Sequence, residues 1–565
     1  MRPYPEVDAE LTAAGGPYEI ETIEIDGLPT RVWKHTPVSL LAILEEGRRR
    51  GGDRDFIVNG DERISHETHF RRVAALAKVL RERYGVGKGD RVAIAMRNHP
   101  EWSIAFFAAV AAGGVAVALN GWWTGEELAF GLKDSGAKVL IADAERLERL
   151  APHLAELDDL KALVSARTPQ PPPGAVRIED LLTGDLPDRL PAVDIRPDDL
   201  ATLFYTSGTT SHPKGVPASH RNVCSNMVSL GYTFARNAVR EGRPPVEPKP
   251  AVRLLCAPLF HATGCQIVLL SSVMMGGKLV FMHKWDPVAG LELMAREGVT
   301  QFSGVPTMIW DILNMPNLAD YDLSALLGVG AGGAAAPSEL VRRVNELLPG
   351  RGFSNGYGLT ESSAMTTGIA GADYRAKPDS VGLAVPICDI KIMDEDGHEV
   401  AVGERGEIWI RGPNVVRGYW RRPDATAETF IDGWLRSGDI GRLDKEGFLY
   451  IVDRAKDIII RGGENVSSAE VEAALFENPV VQEAAVVGVP HPTLGEEVGA
   501  VVRLHQGREA SAEAIKAHAR ERLGGFKVPS RIWFRAEPFP RNPTGKIMKR
   551  ELKEEMLAML EKTGG

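Results

Sequence analysis

From residue 60 to about 370 the hydrophobic period of this chain switches repeatedly between that of a helix and that of a strand. Phe70, Val73, Ala77, Leu80 and Tyr84 fall on one helical face, a glycine-rich turn follows, and Arg91-Val92-Ala93-Ile94-Ala95-Met96 reads as a strand. The cycle recurs with helix 100–112, strand 115–119, helix 125–134 and strand Lys138-Val139-Leu140-Ile141. A second set runs through strand 252–258, helix 265–275, strands 278–282 and 300–304, helix 306–314, and strand 326–330, followed by a helix with Leu340, Val344 and Leu347 on one face. Such alternation produces parallel sheets covered by helices, so two α/β sheets in one large unit are expected. After residue 380 the texture changes: Ile390-Lys391-Ile392-Met393, the turn Asp396-Gly397 and Glu407-Ile408-Trp409-Ile410 predict a smaller antiparallel, barrel-like piece. Past Asp453-Arg454 a compact α+β pattern begins, with Ser467 and Glu470 spaced as a capping box. The expected fold class is α/β: a large N-terminal domain of two α/β sheet subdomains plus a small β-barrel-like subdomain, then a small α+β C-terminal domain on a hinge. The division falls at residues 1–453 and 454–565.

A chain of 565 residues exceeds what one hydrophobic core supports, which agrees with this division. Its net charge of -10 argues against a nucleic-acid or anionic-membrane partner, since both reward clustered positive charge. Cys224, Cys256, Cys265 and Cys388 form no Cys-x-x-Cys pair and no metal-ligand spacing, so a reducing, cytoplasmic setting is expected. The start Met1-Arg2-Pro3-Tyr4-Pro5 has no apolar signal segment. The apolar stretch 104–119 is broken by Gly113-Gly114 and reads as a buried helix running into a buried strand rather than a membrane span.

Two distant runs carry chemistry. Thr206-Ser207-Gly208-Thr209-Thr210-Ser211-His212-Pro213-Lys214-Gly215 is small and hydroxylated, leaving backbone N–H groups free to wrap an anion, with Lys214 as a further donor. Pro213 stands where a Walker loop needs its second glycine, which excludes that reading. Asn542-Pro543-Thr544-Gly545-Lys546 places a long cation on a turn, from which it can reach into a site built by other residues. Either run alone is an ordinary surface turn; together, and with the motifs that follow, they are not.

Those motifs are Gly330-Ala331-Gly332-Gly333-Ala334, Asn355-Gly356-Tyr357-Gly358-Leu359-Thr360-Glu361, Gly418-Tyr419, Gly433-Trp434 with Ser437-Gly438-Asp439, Asp453-Arg454 with Lys456-Asp457, and Arg461-Gly462-Gly463-Glu464-Asn465. In this order, and across nearly the whole chain, they resemble the adenylate-forming superfamily of acyl-CoA synthetases, aryl-CoA ligases, beetle luciferases and adenylation domains. Ser211 and Ser437 depart from the glycine and threonine common there. The resemblance implies ATP, Mg²⁺ and coenzyme A as co-substrates and cofactor, a carboxylic acid as substrate, and allows a homodimer. Thr206 to Lys214 would hold phosphates, Lys546 would bridge carboxylate and phosphate oxygens, and Glu361 with Thr206 would take Mg²⁺. Gly332, Gly333 and Ala334 would lie against the base with Asn355, Gly356, Tyr357, Gly358 and Thr360, and Tyr357 would offer an aromatic face. Asp439 and Arg454 would reach the ribose, Lys456 would be the hinge, and Gly462 and Gly463 would line a pantetheine tunnel.

The acyl pocket implied by the same topology contains His261, Ser303, Val305, Met308 and Gly330, mostly small or apolar and without a charge to pair a second one on the substrate. A hydrophobic monocarboxylate follows, either a medium or long fatty acid or a bulky aryl or alicyclic acid. Trp122-Trp123 reads better as buried packing than as a tunnel border. Four rivals stay open: an amino-acid adenylation domain, which would want an acidic partner near Phe260-His261; a fatty acyl-AMP ligase loading a carrier protein; a luciferase-like oxygenase; and a non-catalytic nucleotide sensor, which would tolerate loss of Lys546 or Glu361.

Overall fold

The computed structural model describes every residue except 207–212, 245–248, 334–335, 337, 455–456, 463, 543–545 and 564–565. Among the described residues, one seven-stranded sheet runs in the order Lys214–Ser219, Leu200–Thr206, Val115–Ala118, Arg91–Ala95, Val139–Asp143, Ala162–Ala166 and Val176–Arg177. All its pairings are parallel except the first. The second sheet has nine strands: Leu383–Ala384, Thr367–Ala370, Gly352–Tyr357, Gly328–Ala331, Gln301–Gly304, Val252–Leu255, Lys278–Phe281, Asp55–Asn59 and Glu62–Ser65. The last two close its edge through Leu279 against Ile57, a pairing between distant segments that no local pattern announces.

Between the sheets sits the helix Pro100–Ala111, every residue of which is buried. Its apolarity all round is what a helix enclosed on every side requires. Trp102 stacks on Phe106 at 5.3 Å, and the cluster extends to Phe56, Phe70 and Leu255. The strand Val115–Ala118 follows it, as the sequence predicts, and no helix of the described residues is long and apolar enough to cross a membrane.

Two local readings need correction. The expected helix at 265–275 opens as a wider π-helical segment, Thr263–Leu269, before the α-helix Leu270–Met274. A Cβ at Gly264 would lie 2.1 Å from the Pro258 carbonyl oxygen, so this turn closes only on bare backbone. In the helix Ser338–Leu347, Leu340 and Val344 are buried, but Leu347 is 38% exposed, and Val341 takes its place in the core.

A third, antiparallel sheet comprises Asp389–Met393, Gly406–Arg411, Trp434–Leu443 and Phe430–Ile431, with Leu449–Arg454 paired to Trp434–Leu443. The fourth contains Glu464–Val466, Ile459–Arg461, Gly495–Leu504 and Val481–His491, with Arg531–Phe534 added in parallel. The third sheet thus ends at Arg454 and the fourth begins at Ile459. Ser467 caps the helix Ser468–Phe476 by accepting from the Glu470 N–H, but the reciprocal half of the expected box is missing because Lys527 holds the Glu470 carboxylate at 2.6 Å. A cavity of about 270 Å³ is lined by Trp310 and Asn314 on one side and by Phe476, Asn478 and His505 on the other.

Candidate active site

Antiparallel pairing puts Thr206, the last residue of one strand, opposite Lys214, the first of the next. The Thr206 hydroxyl donates to the Lys214 carbonyl at 3.4 Å. Ser207, Gly208, Thr209 and Thr210 lie outside the described residues. The Lys214 ammonium stands 4.8 Å from the ring centre of Tyr419, whose hydroxyl donates to Glu361 at 2.9 Å. Lys214–Ser219 also packs on the turn Thr360–Ser362, so two hydroxyls, an ammonium and a carboxylate are gathered beside the hairpin. Burial raises the Glu361 pKa, partly offset by the Tyr419 hydrogen bond. The motif Gly418-Tyr419 contains this tyrosine, but its contact with Glu361 is long-range and is set by the fold.

A second group assembles next to it. The third sheet places Asp439 opposite Arg454, 3.3 Å away, and Tyr357 donates its hydroxyl to the same carboxylate at 2.8 Å. Desolvation raises the Asp439 pKa, opposed by Arg454, by the Tyr357 bond and by the charge of Lys546. The same lysine acts on His261, whose imidazole is pushed down to about 4, first by burial and then by that cation. Lys546 therefore lies near enough for its charge to reach both His261, nearly three hundred positions upstream, and Asp439 on the third sheet. Its backbone is held by the Asn542 side chain at 2.9 Å.

Bare backbone recurs in the neighbouring glycine motifs. Gly332 has open space where a Cβ would be, and Gly333 takes φ +77. At Gly358 a Cβ would sit 2.0 Å from the Ala364 carbonyl oxygen. Asn355 is buried with its side-chain oxygen on the Gly356 N–H at 2.9 Å, and Thr360 opens the turn that carries Glu361. Ala334 lies outside the described residues. Ser303, Gly330 and Ser354 stand abreast on three neighbouring strands. A Cβ at Gly330 would meet the Ser303 hydroxyl at 2.7 Å and the Ser354 hydroxyl at 3.4 Å. All three are only half-buried on interior strands, so this face opens into a cleft; Phe302, Val329 and Phe353 fill the opposite face. Val305 is half-buried, whereas Met308 packs against Gly304 and into the helical core with Ile309 and Ile312, away from that row. Sequence reasoning missed Ser354, although its position beside Asn355 in the third strand of the row was the available signal.

Of the more distant candidates, Gly462 forms the turn between Ile459–Arg461 and Glu464–Val466 with φ +61, its N–H on the Leu494 carbonyl at 2.8 Å. Lys456 and Gly463 lie outside the described residues. Trp123 is buried against Tyr205, but Trp122 is 41% exposed beneath the Arg97 guanidinium, which corrects the expectation of burial for that member of the pair.

The family model of AMP-binding enzymes matches residues 44–420, and that of the AMP-binding enzyme C-terminal domain matches residues 470–546. This chain belongs to the AMP-binding enzymes. Among them it is an adenylate-forming acyl-CoA synthetase. It is 38% identical over 495 residues to a feruloyl-CoA synthase of Amycolatopsis sp, covering 88% of this chain and 94% of that one. It is 36% identical over 502 residues to a long-chain-fatty-acid–CoA ligase of Bacillus subtilis (strain 168), covering 83% and 86%. The crystal structure of the anthranilate CoA ligase AuaEII with anthranoyl-AMP superposes with a TM-score of 0.84 at 27% identity, over 93% of this chain and 98% of that one.

In this AMP-binding enzyme the residues present fit a divalent cation at Glu361. Its carboxylate is desolvated, accepts from a neutral tyrosine, and feels Arg454 only through space. A cation there would supply the missing counter-charge, with Thr206 as a second oxygen donor. Among the described residues, a cluster of three metal-ligand types stands elsewhere, at Asp394, Asp396 and His398; all three are exposed and form part of a surface turn.

Proposed function

We propose that this enzyme joins a hydrophobic monocarboxylic acid to coenzyme A in two steps, with an aryl acid favoured over an alkyl chain. In the first, a carboxylate oxygen attacks the α-phosphorus of ATP and pyrophosphate leaves; in the second, the coenzyme A sulfur attacks the acyl carbonyl and AMP leaves. The observation that carries this reading is the position of Lys546, whose charge acts on both His261 and Asp439. Two anions must meet in the first step, and that cation offsets their repulsion where charge gathers. Lys214, Thr206 and the loop 207–212 would hold the departing phosphates. Mg²⁺, held by Glu361 and Thr206, would neutralise phosphate charge. Asp439 and Arg454 would fix the ribose, while Gly332 and Gly333 would leave room for the base.

The acid lies on Gly330 in this reading, flanked by Ser303 and Ser354, with Val305 at the side and His261 at the mouth. Hydroxyls on both sides of a glycine suit a flat ring with polar substituents better than a fatty tail, and the feruloyl-CoA synthase relative supports the same choice. For the second step residues 454–565 would swing about Lys456 as a domain separate from residues 1–453, bringing Gly462 and Gly463 over the adenylate. We place the reaction in the cytoplasm, consistent with four buried thiols.

The test is pyrophosphate release with ATP and Mg²⁺ across fatty, aryl and alicyclic acids, with and without coenzyme A, read by product mass. Acyl-CoA formed fastest from hydroxylated or methoxylated aryl acids is expected. Acyl-adenylate that accumulates regardless of coenzyme A would reassign the enzyme to carrier loading, and turnover restricted to fatty acids would overturn the aryl assignment.

A further inference from the structure

The turn that follows Glu361 is not a comfortable piece of backbone. Ser363 and Ala364, neither of them glycine, take φ +51 and +86 in succession. Positive φ at adjacent non-glycine residues persists only where the surroundings over-determine it. Within the turn, Ser363 N–H and Ala364 N–H bond back to the carbonyls of Thr360 and Leu359 at 3.0 Å each, and the Ser362 hydroxyl accepts from Leu359 N–H at 2.9 Å. These bonds close the turn on itself but anchor it to nothing.

The anchors are two buried asparagines from different parts of the chain. Asn226, on the helix His220–Arg240, donates its side-chain N–H to the Ser363 carbonyl and, at 3.5 Å, to that of Ser362. Asn414 donates to the Ser362 carbonyl at 3.0 Å and to that of Met365 at 3.2 Å; its own oxygen accepts from the Cys388 thiol at 3.1 Å. Asn226 is 0% and Asn414 1% exposed, so neither amide has water as an alternative partner. A third asparagine, Asn222, one helical turn before Asn226, donates to the carbonyls of Pro413 and Val415, holding the loop that presents Asn414. Val416 N–H then bonds the carbonyl of Glu361 itself at 2.9 Å, and three residues on, Tyr419 reaches the Glu361 carboxylate. Helix, turn and loop thus form one closed frame around a single carboxylate.

We propose that Asn226 and Asn414 are positioning residues that hold Glu361 at the nucleotide site by fixing the turn 362–365. This rests on the reading of Glu361 as the carboxylate that faces Mg²⁺ and ATP. A carboxylate that shares a cation with a polyphosphate must be placed to a fraction of an ångström, and its turn has no glycine to settle it there. The asparagines act by donation: an aspartate of equal volume would turn acceptors toward carbonyl oxygens and push the turn away.

The experiment measures the dissociation constant of Mn²⁺·ATP by water-proton relaxation, alongside steady-state kinetics, for N226D, N414D and E361Q in the full-length enzyme. Each asparagine variant is expected to weaken Mn²⁺·ATP binding about tenfold, in the range for residues that orient a metal ligand, and to raise the KM for ATP while the KM for coenzyme A stays unchanged. Asn226→Ser, which keeps a donor on a shorter arm, should fall between N226D and wild type; if the aspartate variants fail to fold, this variant carries the same comparison. A merely structural role would lower Tm and the active fraction with the Mn²⁺·ATP constant unmoved, and that result overturns the proposal. If E361Q itself leaves the constant unchanged, the parent assignment of Glu361 fails with it; if E361Q weakens binding and the asparagine variants do not, only this proposal fails.

Discussion

Lys546 and Gly330 make opposite demands on the same cleft, one for charge and one for empty space. Replacing Lys546 by Ala is expected to cut adenylate formation on the order of a hundred- to a thousand-fold, the size seen when one electrostatic stabiliser is removed. Thioester formation from supplied acyl-adenylate should survive, and equal loss of both half-reactions in single-turnover assays would remove Lys546 from its proposed role. Gly330→Ala would drive a methyl to within 2.7 Å of the Ser303 hydroxyl. The expected result is an approximately tenfold rise in KM for bulky aryl acids with little change for small ones, a methylene-scale steric effect; an unchanged acid profile would place the acyl group elsewhere. Lys546 could be singled out in the sequence only in company with the other motifs, because a lysine after Pro-Thr-Gly is on its own an ordinary surface turn. Ser354, Asn226 and Asn414 could not be, since a serine in a strand or an asparagine in a helix gains its meaning only from what stands across from it.

Asp143 shows what a strand end can hold. It terminates Val139–Asp143, caps the helix Ala144–Leu150 by accepting from the Arg146 N–H at 3.2 Å, accepts from the Arg97 N–H at 3.1 Å, and pairs with the buried Arg146 guanidinium at 2.8 Å. Asp143→Ala would remove the buried partner of that guanidinium, leaving it the Gly121 carbonyl and the half-exposed Glu145 carboxylate, and would uncap the helix as well, a loss of about 3 kcal/mol. Urea unfolding should register it as a lower midpoint, and a midpoint within error of wild type would mean that Glu145 alone suffices as the partner of Arg146. At this scale the sequence was most readable where an element is uniform: the helix Pro100–Ala111 and its following strand could be drawn from apolar runs alone. It was least readable where geometry departs from a period, as in the π-helical segment Thr263–Leu269, or where pairing is long-range, as in Asp55–Asn59 on the second sheet. Local propensity carries no information about either.

Several imidazoles of the large N-terminal part are buried without charge. His66 and His220 are pushed down to about 4, and His69 and His99 to about 3, in each case chiefly by desolvation. The unfolded chain takes these protons near pH 6.5 while the folded one refuses them, so stability is intact above that value and falls as pH drops toward 4. Shifts of this size correspond to roughly 3 kcal/mol per group, and two or three would exhaust a typical folding free energy. The thermal midpoint is therefore expected to decline steadily below pH 6.5 and the fold to be lost before pH 4; a flat profile from 6.5 to 4.5 would show that these rings accept protons in place. The change of texture near 380 has a physical cause, since strands covered by helices on both faces give way to an antiparallel sheet with one open face; past 454 the strands are again buried on both faces, by Ile515 and Leu475 on one side and by Phe539, Leu552 and Met556 on the other. Four buried thiols would make any movement of the small piece unusually easy to follow. Because Cys224, Cys256, Cys265 and Cys388 are all buried, a maleimide dye added to the native enzyme has no ready target. A thiol introduced at exposed Glu513 and another at exposed Asp188 would each take a fluorophore in an otherwise silent background, turning the chain into its own optical ruler as ATP, acid and coenzyme A are added in turn.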